Sequence, residues 1–171
     1  RPPGRIVRHR GRALSAPSQE APSASHPPTG HVAGKVHVLP VRVYYEDTDA
    51  GGIVYHANYL RFAERARTEM MRLVSGGDDE LTMSHYGLAF VARRCTVDYI
   101  APARLDDAVE VHSRMLDVRA ASLLAEQVVR RDGTDIARIE ILLAAIGADG
   151  RPARLPRPIR TALAALTERS T

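Results

Sequence analysis

Residues 58–77 read NYLRFAERARTEMMRLVSGG and contain the long helical pattern around which the rest of the sequence is arranged. Apolar side chains recur at spacings of four, three, four and three residues, which places them on one face of a helix. Charged side chains cover most of the opposite face, so one side of this helix packs against a core. Asn58 is a suitable N-cap, and Gly76 with Gly77 ends the helix. The apolar stripe consists of Tyr59, Ala63, Ala66, Met70 and Leu73.

Strand-like segments surround this helix, with one before it and four after it. The first begins near Val36 and is rich in valine and tyrosine. The pair Asp132-Gly133 is a strong hairpin signal between the last two strands. A sheet with one apolar face can cover a single helix, so we predict an α+β fold in which a five-stranded antiparallel sheet wraps around one long central helix. After the helix the strands run as a meander, at Leu88–Tyr99, Ala108–Val118, Ser122–Arg131 and Asp135–Ala148.

The positive charge of the chain is concentrated in its N-terminal part. The 171 residues carry a formal net charge of +4, but residues 1–35 hold six basic side chains and one acidic side chain. Residues 36–171 hold 18 basic and 19 acidic side chains, so they lack the basic surface of a nucleic-acid-binding domain. Residues 1–35 also lack apolar periodicity. We therefore predict a disordered basic tail, composed like an organelle transit peptide or a variable start, before a domain at 36–171.

Cysteine content and apolar runs limit the remaining classes of protein. The single cysteine, Cys95, excludes an intramolecular disulfide and a cysteine-based zinc site, and we predict it to be a small buried residue. No apolar run approaches the roughly 20 residues of a transmembrane helix. Phosphate-loop, dinucleotide-binding and zinc-protease motifs are also missing. We expect a cytoplasmic protein without a transmembrane segment, a metal or a cofactor.

The loop before the helix carries the densest group of chemistry-bearing residues. It contains three acidic residues between positions 46 and 49, then two glycines, and then His56 close to the predicted helix start. Acids and glycines are ordinary turn residues, so a simple turn would need the same pattern. As an active site, the glycines would let a ligand approach the backbone, and N–H groups at the helix start would bind a developing oxyanion. Asp49 would then attack a carbonyl carbon or activate water.

This loop and helix also carry a recognisable signature. Residues 41–59 read VRVYYEDTDAGGIVYHANY, and residues 64–70 read ERARTEM. Two further blocks, residues 90–99 and 101–107, read FVARRCTVDY and APARLDD. Together they closely resemble the 4-hydroxybenzoyl-CoA thioesterase family of hot-dog proteins. They are most similar to its YbgC branch of acyl-CoA thioesterases, which is associated with the bacterial Tol-Pal system, and the resemblance covers about residues 36–160.

The resemblance implies a hot-dog fold and an acyl-CoA thioesterase that assembles as a homodimer or homotetramer with active sites at the subunit boundary. Acyl-CoA is the implied substrate, and acyl carrier protein is a further candidate carrier. Backbone N–H groups at the helix start would polarise the thioester carbonyl, and Asp49 would act as nucleophile or as general base. By position, the catalytic residues are Asp49 and His56, and the substrate-binding residues are Gly52, Tyr55, Asn58, Arg93 and Arg94, the two arginines as partners for the CoA phosphates.

Two other functions and one other position for the carboxylate stay open at this point. A hot-dog hydratase or dehydratase would use a His–acid pair on an acyl thioester. A non-catalytic relative would only bind an acyl carrier or an envelope complex. A related lineage places its acid on the central helix, where Glu64 and Glu69 stand. Arginines lie at ion-pair spacing from both, so we expect a solvated, salt-bridged face there.

Overall fold

A computed structural model describes residues 29–76 and 82–167, which form one six-stranded sheet and two helices. The predicted tail up to residue 28 and the turn that follows Gly76 lie outside the described residues. Neither helix in the described ranges is both long and apolar enough to cross a membrane. In chain order, the elements are β1 (His31–Ala33), β2 (Val36–Arg42), α1 (His56–Ser75), β3 (Leu88–Tyr99), β4 (Ala108–Val118), β5 (Ser122–Arg131), β6 (Thr134–Gly147) and α2 (Arg157–Ala164).

The strands pair antiparallel throughout and lie in the order β1-β2-β4-β5-β6-β3. The helix α1 packs across the sheet against β2, β4, β5 and β6, which confirms the predicted α+β hot-dog fold. The meander prediction holds for β4, β5 and β6 only. β3 pairs with β6 at the far edge because β2 occupies the place beside β4. The eight-residue connection from 100 to 107 is long enough for this crossing, whereas a tight hairpin would have kept β3 beside β4.

The predicted number of five strands is wrong, because the short strand β1 lies inside the segment predicted as tail. β1 pairs with β2, and Val32 stands opposite His37. The side chain of His37 is fully buried, and its Nε2 lies 2.8 Å from the carbonyl oxygen of Thr29. Burial lowers the pKa of His37. Residues 29–35 therefore belong to the domain, and three exposed residues without alternation left no sequence signal for a strand.

The helix α1 begins earlier than predicted. Its N-cap is Tyr55, and Asn58 lies in the first turn. The side-chain amide of Asn58 donates to the carbonyl oxygen of Asp47 at 2.8 Å, so the predicted capping role of Asn58 is wrong. The helix ends as predicted at Gly76, whose φ of +57° suits glycine. Leu73 is 37% exposed, and the apolar side chains that α1 buries are Tyr59, Phe62, Ala63, Ala66 and Met70.

The edge strand β3 contains a β-bulge that changes which side chains face α1. Its pairing with β6 shifts between Ala92 and Arg94, so Arg93 is an extra residue. Beyond the bulge, Cys95 pairs opposite the core residue Ile141 and lies on the helix side of the sheet. Cys95 is nevertheless exposed, because β3 is the outermost strand and α1 does not cover it. The prediction of a buried Cys95 is therefore wrong.

The core is divided into two clusters along α1. One surrounds the first half of the helix and includes Val54, Phe62 and Ala103. The other surrounds Met70 near the end of the helix and includes side chains from α2, such as Ile159. Each cluster borders a cavity, so the fold places one cavity near each end of α1.

Candidate active site

Asp47 is a structural residue of the loop before α1. Its side chain is buried, and its Oδ2 accepts a hydrogen bond from the backbone N–H of Tyr44 at 2.9 Å. Its carbonyl oxygen accepts from the N–H of Tyr55 at 2.9 Å and from the side-chain amide of Asn58 at 2.8 Å. The guanidinium of Arg65 lies 4.0 Å from the carboxylate. These contacts tie the loop to α1, which is the turn role that the acid pattern predicts.

Asp49 stands at the exposed tip of the same loop. Its Oδ1 accepts a hydrogen bond from the N–H of Gly51 at 2.8 Å, and its backbone bonds to Ile53 at 3.0 Å and to Gly52 at 2.9 Å. Gly52 adopts a φ of +72°, which allows the chain to turn this tightly. No described residue donates a hydrogen bond to Oδ2 of Asp49. The loop therefore holds one carboxylate oxygen and leaves the other available for chemistry.

The start of α1 presents two backbone donors. The N-cap Tyr55 makes no side-chain capping bond, and no group in the described part of the chain accepts from the N–H of His56 or Ala57. Such N–H groups are normally satisfied by a capping side chain, by water or by a ligand. The hydroxyl of Tyr99 donates to the carbonyl oxygen of His56 at 3.0 Å and fixes the first turn against the end of β3. Donors at this position stabilise negative charge on an oxygen atom.

Asp49 and this helix start border one cavity of about 430 Å³. Part of its wall is aromatic: the His56 ring packs against Tyr55 with 4.3 Å between centroids and edge-on to Tyr99 at 6.3 Å. Burial raises the pKa of Tyr59 and of Tyr99, so both hydroxyls stay protonated at neutral pH. Among residues 29–76 and 82–167, no group of three or more His, Cys, Asp or Glu side chains is placed to hold a metal ion. The rest of the lining comes from Ile53, Val54, Ile100, Ala101 and Pro102.

Five of the predicted site residues lie in or beside this cavity. Asp49, Tyr55 and His56 line it. Gly52 forms the adjoining turn. Asn58 is 5% exposed, and its side-chain amide holds the loop through the hydrogen bond to Asp47. Asn58 therefore positions the loop and lies outside the cavity lining. These residues come together because they lie close in the sequence and share one loop and one helical turn.

The two arginines predicted to bind CoA lie elsewhere on β3. Arg93 is the exposed residue at the bulge, and Arg94 lies 3.6 Å from Glu140 of the neighbouring strand. Neither side chain lines the cavity of its own chain. The prediction missed the wall formed by Tyr99 and Ile100, which are 49% and 58% exposed. The available signal was a large apolar pair at the end of a strand, directly before a proline-containing loop.

Comparison with known proteins identifies the family. Residues 43–163, which contain the Asp49 loop and α1, match the thioesterase-like superfamily. The chain belongs to this superfamily. Within it, acyl-CoA thioester hydrolase YbgC of Escherichia coli O157:H7 is 44% identical over 122 residues, which cover 70% of this chain and 90% of the relative. Acyl-CoA thioesterase YbgC of Haemophilus influenzae is 40% identical over 125 residues, or 72% and 91% of the two chains. The predicted YbgC-like branch is thereby confirmed.

Solved structures in the thioesterase-like superfamily share the fold of this chain. A probable thioesterase from Bartonella henselae matches with a TM-score of 0.62 at 32% identity, over 71% of this chain and 98% of its own. A 1,4-dihydroxy-2-naphthoyl-CoA thioesterase from Synechocystis matches with a TM-score of 0.66 over 75% and 96% of the two chains. Its identity is 22%, so this second likeness concerns the fold alone.

Proposed function

We propose that this YbgC-like protein hydrolyses acyl-CoA to a free acid and CoA in the Asp49 cavity. Its family makes it a thioester hydrolase. The observation that carries the assignment of the site is the cavity itself, because a carboxylate with one free oxygen and two N–H groups at a helix start border the same space. Thioester hydrolysis needs a nucleophile or base together with donors for the oxyanion, and this cavity offers both.

The backbone at the start of α1 binds the reacting carbonyl group. The thioester oxygen accepts from the N–H groups of His56 and Ala57, which have no other acceptor in the described residues. As the carbonyl carbon becomes tetrahedral, its oxygen gains negative charge, and the helix start stabilises that charge. The imidazole of His56 lines the same cavity and shapes the wall beside the reacting group.

Two routes from Asp49 lead to the same products. As nucleophile, its carboxylate attacks the carbonyl carbon, CoA leaves as a thiolate, and water hydrolyses the resulting anhydride to restore the carboxylate. As general base, Asp49 takes a proton from water, and the hydroxide attacks the carbon and expels the same thiolate. A thiol of pKa about 8.5 is a good leaving group, so neither route requires a strong acid to protonate it.

The assembly and the carriers are part of this proposal. Arg93 and Arg94 do not line the cavity of their own chain, so in this proposal they contact the phosphates of a CoA bound at the boundary with a second subunit. The exposed edge strand β3 supports a homodimer or homotetramer. An acyl carrier protein as an additional carrier, a cytoplasmic location and a link to the Tol-Pal system rest on the family resemblance.

The decisive test is the substitution Asp49→Asn. It preserves the size of the side chain but removes the anionic group, and loss of a nucleophile or base typically costs about 10²–10⁴-fold in rate. We expect kcat to fall at least about 100-fold, measured as thiol released from a panel of acyl-CoAs, while binding of acyl-CoA persists. His56→Ala should cost less, because the proposed oxyanion donor at that position belongs to the backbone.

Glu64→Gln is the matched control, because Glu64 is a carboxylate on the exposed face of α1 that bonds to Thr68. It should be nearly silent. If Asp49→Asn retains near-normal turnover while Glu64→Gln or Glu69→Gln abolishes it, the catalytic carboxylate lies on the helix and the proposal fails. Turnover of an enoyl-CoA or 3-hydroxyacyl-CoA without release of any thiol would instead identify a hydratase or dehydratase.

A further inference from the structure

The connection between β3 and β4, residues 100–107, contacts the proposed active site in two ways, and we call it the wall loop. Its first three residues line the Asp49 cavity. Its next residue, Ala103, is fully buried, and the carbonyl oxygen of Ala103 accepts a hydrogen bond from the N–H of Val54 at 2.8 Å. The same short segment therefore forms part of the cavity wall and supports the loop that carries Asp49.

Backbone contacts connect the wall loop to Asp49 itself. Arg104 pairs with Ile53 in an isolated antiparallel bridge, next to the bond between Ala103 and Val54. The carbonyl oxygen of Ile53 in turn accepts a hydrogen bond from the N–H of Asp49 at 3.0 Å. The path from Arg104 to Asp49 thus runs through one residue, so a displacement of the wall loop at Arg104 would also displace the backbone of Asp49.

The end of the wall loop contains a strained turn. Asp106 has a φ of +67°, a region that side chains other than glycine seldom adopt. Among the non-glycine residues that the structure describes, Asp132 in the β5–β6 hairpin is the other one with a positive φ. Such a conformation persists where surrounding contacts hold it. Asp106 is held by β2 and the residue after it, since its carbonyl oxygen accepts from Arg42 at 2.7 Å and its N–H donates to Val43 at 3.1 Å.

An ion pair between Asp107 and Arg131 fixes both ends of the wall loop. Oδ2 of Asp107 accepts hydrogen bonds from the N–H of Arg104 at 2.8 Å and from Nη1 of Arg131 at 2.6 Å. The same guanidinium nitrogen donates to the carbonyl oxygen of Pro102 at 3.0 Å. Desolvation raises the pKa of Asp107, but the hydrogen bonds from Arg104 and Arg131 lower that pKa to below its ordinary value. Arg131 ends β5 directly before a tight turn, so it is a firm anchor for this pair.

We propose that Asp107 and Arg131 are positioning residues for thioester hydrolysis, which hold the wall loop and, through Ile53, the backbone of Asp49. The inference rests on the proposed function, because it assumes that Asp49 reacts in its cavity. It extends that function to two side chains that do not line the cavity. An exposed ion pair alone contributes little to stability, whereas a misplacement of about 1 Å can cost about 10²-fold in rate. The pair should therefore affect kcat more than folding.

Substitutions at position 107 test this role by steady-state kinetics with one acyl-CoA, well below the Tm of every variant. Asp107→Ala removes the acceptor for both Arg104 and Arg131, so we expect kcat to fall about 10- to 100-fold while KM stays within about twofold. Asp107→Asn keeps an acceptor oxygen at the same place and should recover most of the loss, to within about fivefold of the unchanged protein. Arg131→Gln should lower kcat in the same way as Asp107→Ala.

Backbone hydrogen exchange provides a second measurement that needs no substrate. The N–H groups of Asp49 and Val54 are those whose hydrogen bonds depend on the position of Ile53 and of the wall loop. In Asp107→Ala both should exchange faster than in the unchanged full-length protein, and in Asp107→Asn they should exchange at nearly the original rate. This result does not depend on the chemistry that Asp49 performs.

Asp135→Ala is the matched control. Asp135 forms an ion pair with Arg130 at 2.7 Å beside the same hairpin and a second pair with Arg138, and neither partner belongs to the wall loop. This variant should keep the original kcat and the original exchange rates at Asp49 and Val54, even if its Tm falls.

The inference is overturned if Asp107→Ala keeps its kcat, if Asp135→Ala lowers kcat equally, or if exchange at Asp49 and Val54 is the same with and without the Asp107 carboxylate. A normal Asp107→Ala beside an inactive Asp49→Asn would remove this inference and leave the proposed function in place. An active Asp49→Asn would instead remove the proposed function and with it the role of the pair in hydrolysis. Should Asp107→Ala fail to fold, Arg131→Gln and its exchange rates decide the question, because Arg131→Gln keeps the bond from Arg104 to Asp107.

Discussion

At the scale of single residues, the proximity of side chains could be predicted where those residues lie close together in the sequence. Asp49, Tyr55 and His56 line one cavity because an acid, two glycines and a helix start follow one another in the chain. Tyr99 could not be placed in this way, since it lies 43 residues beyond His56 and meets it only through the pairing of β3 with β6. Asn58 was assigned the wrong partner, because a short polar residue at a helix start serves equally well as a cap or as a donor to a neighbouring loop.

Tyr99 provides a test of how the first turn of α1 is held. Tyr99→Phe removes the hydroxyl that donates to His56 but keeps the ring in the cavity wall. A neutral hydrogen bond contributes about 1 kcal/mol, so we expect kcat to fall roughly 2- to 10-fold, with little change in KM. Steady-state kinetics with one acyl-CoA measures both constants. Tyr45→Phe is the control, because Tyr45 is 81% exposed and lines neither cavity; an equal effect there would contradict the positioning role.

At the scale of elements, the predicted bounds agree wherever apolar alternation is strong. The bounds of β3, β4 and β5 were predicted correctly, and the hairpin between β5 and β6 turns at Asp132 and Gly133, whose φ values are +51° and +75°. The apolar alternation could not indicate the bulge at Arg93. An inserted residue reverses which side chains point to each face of the sheet, but it leaves the composition of the strand unchanged. The alternation pattern also gave no sign of β1, because its three residues form a strand only by pairing with the free edge of β2.

The strand β1 makes a prediction about where the stable domain begins. A chain that begins at Val36 lacks β1 and exposes His37, which loses its contact with Thr29. We expect its free energy of unfolding to be about 1–3 kcal/mol lower, and its Tm several degrees lower, than that of a chain that begins at Thr29. The chain that begins at Thr29 should have the same Tm as the full-length protein. Equal Tm values for all three in a thermal scan would show that β1 contributes nothing.

At the scale of the whole molecule, the two edges of the sheet differ. The edge at β1 is a strand of three residues, whereas the edge at β3 is a strand of 12 residues that α1 does not cover. Large apolar side chains lie exposed at the β3 edge, among them Val91, Tyr99 and Ile100. A long unpaired edge of this kind is a site for pairing with another chain. We therefore propose the β3 edge as the surface through which the oligomer implied by the resemblance assembles.

Association through β3 is testable by light scattering at micromolar concentration. We expect a mass of at least twice the 18.7 kDa of the chain. Val91→Lys places a charge on the β3 edge and should shift the protein toward the monomer. Val32→Lys places the same charge on the opposite edge of the sheet, where Val32 is also exposed, and should leave the mass unchanged. A monomeric mass for the unchanged protein, or dissociation only with Val32→Lys, would count against this surface.

The start of α1 has no side-chain cap, and under the proposed mechanism a cap there would raise the stability of the helix but lower the rate of hydrolysis. An aspartate or serine at position 55 would accept hydrogen bonds from the helix start and add about 0.5–2 kcal/mol to the stability of the helix. In the proposed mechanism, the same side chain would occupy the N–H donors that bind the thioester oxygen. Selection for heat resistance alone would therefore favour a cap here, and selection for hydrolysis would remove it. The proposed mechanism therefore accounts for the missing cap, and substitutions meant to raise thermostability are better placed away from position 55.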